Sequence, residues 1–248
     1  MEELKNMKRI LISLSIIGVV AAIAIGATVA YFGDTETSTG NTMTAGTIDL
    51  QIDLQCPGTG CDWELRNLNG ETFFHEWDIK PGDKGEVTIS WHVDSNDAWA
   101  RIRLADIKDF ENQCTEPELE YPDLTCQADP NGIYGELSQY LRFTIWMDEG
   151  SVEGWQCLGN GPCTEDLKEG NNVFDVGTYD EKIADNMSVS NLLNGVQLSE
   201  VLKPSTTYYT GFEWNLPFAT PNIVQTDSLT GKIIMEIVQS KNNPTPWQ

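Results

Sequence analysis

The chain has 248 residues, with 38 acidic against 15 basic side chains and a formal net charge of −23. Such an excess excludes nucleic acid and argues against anionic membrane surfaces as partners, while it suits high salt or divalent cations. An apolar content of 40% is that of a folding chain, not a disordered one.

The first segment, residues 1–30, reads as a secretory signal peptide. Lys5, Lys8 and Arg9 form a positive start, residues 10–25 are an apolar run broken only by Ser13, Ser15 and Gly18, and Gly26, Ala27, Thr28 and Ala30 are small. Thr28 and Ala30 suit the two recognition positions of signal peptidase, so the cut is expected between Ala30 and Tyr31. Glu2 and Glu3 are unusual there, and Met7 is an alternative start. The competing reading keeps the segment as a membrane anchor, since about 20 apolar residues suffice to span. Both place the remainder outside the cytoplasm, because the basic flank stays inside. The expected localisation is secreted, extracellular or cell-surface.

Residues 31–46 follow as an N-terminal strand or assembly segment, or simply the first strand or a disordered start of the domain. Within it residues 34–44 are polar, Thr/Ser-rich and Gly-interrupted, with β-prone character and little apolar surface of their own. Residues 47–240 carry the patterning of a domain, and 241–248 read as a flexible tail. Removing residues 1–30 leaves about 218, the size of one all-β domain or two small ones.

Period-two alternation dominates this region. Ile48, Leu50, Ile52 and Leu54 share one parity, as do Phe73, His75, Trp77 and Ile79, and then Val87, Ile89, Trp91 and Val93. Ile102 and Leu104 alternate with Arg101 and Arg103. Leu141, Phe143, Ile145 and Met147 form a further face, followed by Tyr208, Phe212, Trp214 and Leu216 and by a β-branched run over 232–239. Turn signals stand between them at Asn69-Gly70, Lys80-Pro81-Gly82-Asp83, Asp129-Pro130-Asn131-Gly132 and Asn194-Gly195. The expectation is an all-β, jelly-roll-like sandwich of about seven or eight strands. It carries long disulfide-bearing loop insertions at 109–131 and 148–172 and one short helix over 190–202.

Six cysteines lie beyond the signal segment, as Cys56/Cys61, Cys114/Cys126 and Cys157/Cys163. Six allow about 15 pairings. Each neighbouring pair closes a short loop rich in Pro, Gly or Asp, which favours local bridges. Zinc is disfavoured, because no Cys-x-x-Cys occurs and there are two histidines.

Catalytic constellations are scarce. His75-Glu76 opens like a zincin motif, but Ile79 stands where the second histidine belongs. His75 reads instead as a histidine at a strand or sheet edge. No Gly-x-Ser-x-Gly elbow and no phosphate-binding glycine loop occur. Glu116/Glu118 and Asp148/Glu149 are paired carboxylates that read as solvated surface. Asp94-Ser95-Asn96-Asp97 and Asp129-Pro130-Asn131-Gly132 offer oxygen donors for Ca²⁺ without the EF-hand pattern. No resident cofactor is expected. Asn186-Met187-Ser188 is a lone glycosylation sequon.

The opening Ala30-Tyr31-Phe32-Gly33-Asp34-Thr35-Glu36-Thr37-Ser38, followed by Thr42-Met43-Thr44-Ala45-Gly46-Thr47-Ile48-Asp49-Leu50, resembles the start of the TasA/camelysin family. Lys80-Pro81-Gly82-Asp83 resembles a turn of that family, and Trp214-Asn215-Leu216-Pro217 with Asn222 and Gln225-Thr226-Asp227-Ser228 resembles its ending. The resemblance covers both ends of the mature chain and not the cysteine-bearing middle. It implies a jelly roll, export through a dedicated signal peptidase and, in TasA, extracellular fibres of the biofilm matrix. Camelysin-type members carry a metalloprotease label, for which this chain offers no His-Glu-x-x-His.

The resulting expectation is a non-enzymatic, secreted structural subunit of an extracellular fibre or matrix. Its partners are copies of itself, other matrix components and signal peptidase. Tyr31, Phe32 and Met43 are the candidate assembly residues, carried by a segment able to complete a neighbour's sheet. The alternatives are a camelysin-type metallopeptidase and a surface module that binds glycan or Ca²⁺.

Overall fold

The computed structural model describes residues 48–55, 65–67, 73–120, 123–157 and 163–247. They belong to the compact unit Gly46–Gln248. The signal segment, Ala30, Tyr31, Phe32, Met43, Cys56, Cys61 and the Asn69-Gly70 turn lie outside the described residues.

Among the described residues, eight strands form two antiparallel sheets. In chain order they are β1 (Leu50–Gln55), β2 (Lys84–Val93), β3 (Ala98–Phe110), β4 (Arg142–Met147), β5 (Glu181–Ser188), β6 (Val196–Gln197), β7 (Tyr208–Asn215) and β8 (Ser228–Gln239). One sheet runs β1-β2-β7-β4-β5 and the other β6-β3-β8. The expected all-β sandwich is therefore the architecture. Ile52, Val87, Ile89, Trp91, Phe143, Ile145 and Phe212 of the first sheet meet Ala98, Ala100, Ile102 and Leu104 of the second in one core. At roughly 25 cal/mol per Å² of apolar area removed from water, this core is the main stabilising contribution.

The first sheet is covered on its other face too. Thr88 and Ser90 on β2 and Tyr209 on β7 are buried although they point away from the core. The insertion after β4 lies on them: Thr88 Oγ1 donates to Asn172 Oδ1 at 2.9 Å, and Cys157 and Cys163 pack on Tyr209. Gly211 leaves room for the Trp146 indole, since a Cβ there would stand 1.9 Å from a ring carbon.

Helix is more fragmented than expected. Four short helices occur among the described residues: α1 (Glu116–Glu120), α2 (Leu124–Ala128), α3 (Leu137–Tyr140) and α4 (Val189–Leu192), with a 3-10 turn over Asn222–Val224. The helix expected over 190–202 is confined to α4. Gly195 takes a φ of +85°, ends it, and lets Val196 pair with Ile102 in the second sheet. The strand expected from Phe73 to Ile79 does not form. Asp78 sits at a φ of +56°, while Phe73, Phe74 and Ile79 pack on the core as irregular chain. His75 is thus on no strand; it is exposed and meets Trp77 edge-on at 4.7 Å.

The Lys80-Pro81-Gly82-Asp83 turn leads into β2 and is closed by Asp83 N–H donating to Lys80 O at 2.9 Å. Residues 241–247 turn back on β3. Trp99 Nε1 donates to Asn243 O at 2.8 Å, and the Arg101 guanidinium lies 4.0 Å from the Trp247 ring centroid.

Candidate functional site

Two features go beyond ordinary packing: a strand edge left unpaired among the described residues and a basin of buried carboxylates.

Sheet edges attract foreign strands unless they are short, bent, charged or covered. β6 has two residues. β5 carries Glu181, Lys182 and Asp185, has two register shifts against β4 and places Asn186 at a φ of +51°. On β1, the Ile52 N–H and C=O bond the Arg66 C=O and N–H at 3.0 and 3.1 Å. β8 is different. It has 12 residues, pairs with β3 from Ser228 to Gln239, and among the described residues has no strand on its other side. Ile233, Met235 and Ile237 pack on the core. Ile234, Glu236 and Val238 take the opposite face, in register with Arg103, Arg101 and Trp99. Arg101 Nε and Arg103 Nη2 hold the Glu236 carboxylate at 2.5 and 3.0 Å.

The basin lies where β3 ends and β8 begins, under the insertion stapled by Cys114–Cys126, whose Cα atoms are 5.3 Å apart. Glu111 follows β3, Glu118 comes from α1, Asp123 caps α2, Glu136 precedes α3, and Asp227 precedes β8. Several of these acids bond the loops through one oxygen. Asp123 Oδ1 accepts from Thr125 and Cys126 N–H at 2.9 and 3.0 Å. Asp227 Oδ2 accepts from Glu136 and Leu137 N–H at 2.6 and 3.1 Å. Glu118 Oε2 accepts from the Thr115 backbone N–H and its hydroxyl, and Oε1 from Thr226 Oγ1. Glu136 Oε1 accepts from Thr125 Oγ1 at 2.5 Å. Gly135 permits this closeness, because a Cβ would stand 3.0 Å from Asp227 Cγ and 2.8 Å from Phe110 O.

The second oxygens are left over. Asp123 Oδ2, Glu136 Oε2, Asp227 Oδ1 and both Glu111 oxygens are buried and find no hydrogen-bond donor among the described residues. Glu111 is 1% exposed. Burial, then repulsion from Asp227, Asp123 and Glu118, pushes the Glu111 carboxyl well above its ordinary range. Asp227 moves the same way, chiefly through burial. Among the described residues no lysine, arginine or histidine forms an ion pair with any of them.

A smaller acidic group lies under the other insertion. Asp148 Oδ2 accepts from Asn172 N–H at 3.2 Å, and Glu169 Oε2 lies 2.8 Å from Cys157 Sγ in the Cys157–Cys163 bridge. Burial pushes both carboxyls up to about 8.

These placements revise the reading of the acids. Glu118 and Asp148, taken from sequence as solvated surface, are fully buried. The Asp94–Asp97 and Asp129–Gly132 turns, expected to offer Ca²⁺ donors, contribute to none of the converging groups of metal-ligating side chains among the described residues. Two main-chain carbonyls of these turns accept backbone bonds, Asp97 O from Ser240 N–H and Asp129 O from Gly132 N–H, each at 3.0 Å. Glu111, Asp123 and Asp227 went unnoticed in the sequence. The acid-rich stretch from 109 to 136 was a signal, but nothing linked it to Asp227.

No family model matches the sequence, and no curated protein matches it. Two disulfides are the chemistry of an oxidising compartment. Among the described residues no helix is long and apolar enough to cross a membrane.

Proposed function

We propose that the protein is a secreted structural subunit of an extracellular fibre or biofilm matrix, of the TasA/camelysin kind that its two ends resemble. Cleavage between Ala30 and Tyr31 frees residues 31–46, and this segment adds as a strand to the β8 edge of a neighbouring copy. Main-chain hydrogen bonds supply affinity, and Tyr31, Phe32 and Met43 supply apolar anchors.

The observation that carries this reading is β8: twelve residues long, with Ile233, Met235 and Ile237 packed on the core, and paired on one side among the described residues. The net charge of −23 opposes close packing of copies, so assembly strengthens with salt or divalent cations. The test compares protein beginning at Tyr31 with protein beginning at Thr47, by negative-stain microscopy in low and high salt. Filaments from the longer form alone are expected. Equal polymerisation of the shorter form would remove strand donation, and the absence of filaments from both would remove the fibre reading.

A further inference from the structure

We propose that Glu111, Glu118 and Asp227, with Asp123 beside Glu111, form a calcium site that ties the Cys114–Cys126 insertion to the end of the sandwich. The claim does not depend on fibre formation.

Glu111 carries the argument. Its carboxylate is buried and neither oxygen finds a donor among the described residues, a state that costs several kcal/mol unless a proton or a cation accompanies it. Carboxylate oxygens of Glu111, Glu118 and Asp227 lie within 4.8 Å of one another. That is the widest spacing at which two ligands can each stand about 2.4 Å from a shared Ca²⁺. Asp123 reaches Glu111 within the same limit. Glu111 and Asp227 are held on β3 and β8, and Asp123 and Glu118 on the insertion, so an ion between them joins the two parts.

The donor chemistry selects the metal. All available donors are carboxylate oxygens, which suit hard cations. The one sulfur in the group, Cys126 Sγ, is committed to its disulfide, and no imidazole is present, which disfavours zinc. A site made largely from protein carboxylates suits the flexible shell of Ca²⁺ better than Mg²⁺, which retains several waters. The backbone N–H bonds that Asp123 Oδ1 and Asp227 Oδ2 accept fix these side chains, while their second oxygens stay buried with no donor among the described residues. The rival occupant is a proton shared between Glu111 and Asp227.

The test uses purified protein treated with EDTA and dialysed, then titrated with CaCl₂ by calorimetry and melted with and without about 1 mM Ca²⁺. Binding of one ion per chain and a rise in melting temperature of about 5–10 °C are expected. Glu111→Gln and Asp227→Asn, each checked for folding by circular dichroism, lose the response. Asp148→Asn, in the other acidic group, keeps it. MgCl₂ at the same concentration shifts melting less. Absence of heat and shift in the unaltered protein would overturn the proposal. So would an undiminished response in Glu111→Gln, or a magnesium shift equal to that of calcium. Stabilisation by Glu111→Gln with no calcium response in either protein is the signature of the shared proton.

Discussion

Asp148 shows how one residue couples the fold to pH. Its carboxyl is buried, faces the charges of Asp180 and Asp175, and is partly compensated by the backbone N–H groups of Asn172 and Gly170. Its folded pKa of about 8 stands above the unfolded value of 3.8, so the native state holds the proton more tightly. The stability this proton confers is present below about pH 4 and is lost as pH rises through about 8. Asp148→Asn removes that titration. Urea unfolding at about pH 5.5 and 8.5 should show a smaller loss in the variant, by on the order of 1–3 kcal/mol. Part of the slope persists, because Glu169 is raised in the same way. Equal slopes in the two proteins would contradict the burial argument. None of this was legible in sequence, where Asp148-Glu149 looks like any acidic loop. Burial is decided by the insertion that folds over β2 and β7.

At the scale of elements, the strands with a period of two were legible: β1, β2, β3, β4 and β7 stand where alternation placed them, and β8 contains the β-branched run over 232–239. β5 was missed because its sequence, Glu181 to Ser188, offers Ile183, Ala184 and Met187 as its apolar residues and is interrupted by register shifts against β4. The segment over 190–202 misled because Leu192, Leu193, Val196 and Val201 approximate helical spacing, while Asn194-Gly195 supplies the conformation that breaks it. Local order also limits what the disulfides do. Cys114–Cys126 and Cys157–Cys163 span separations of 12 and 6 residues and stand apart from the main core. Each contributes about 2–3 kcal/mol by restricting the unfolded chain. Reduction is expected to lower the melting temperature by about 5–15 °C while the far-ultraviolet strand signal at 25 °C survives. Loss of that signal on reduction would show that the bridges hold the sandwich itself.

For the whole molecule, the sandwich follows from apolar alternation, whereas the two candidate sites follow from topology. Sequence order cannot show that β8 ends up at an edge, or that Asp227 arrives beside Glu111, because both depend on β8 crossing to pair with β3. The central claim is that the β8 edge accepts a strand from another copy. Hydrogen exchange read by mass spectrometry on assembled filaments and on monomer tests it most directly, since strand addition protects main-chain amides at the edge that receives it. The account predicts slowed exchange over Ser228–Gln239 on assembly, with β5 unchanged. Protection appearing over Glu181–Ser188 instead, with β8 exchanging as it does in the monomer, would contradict it.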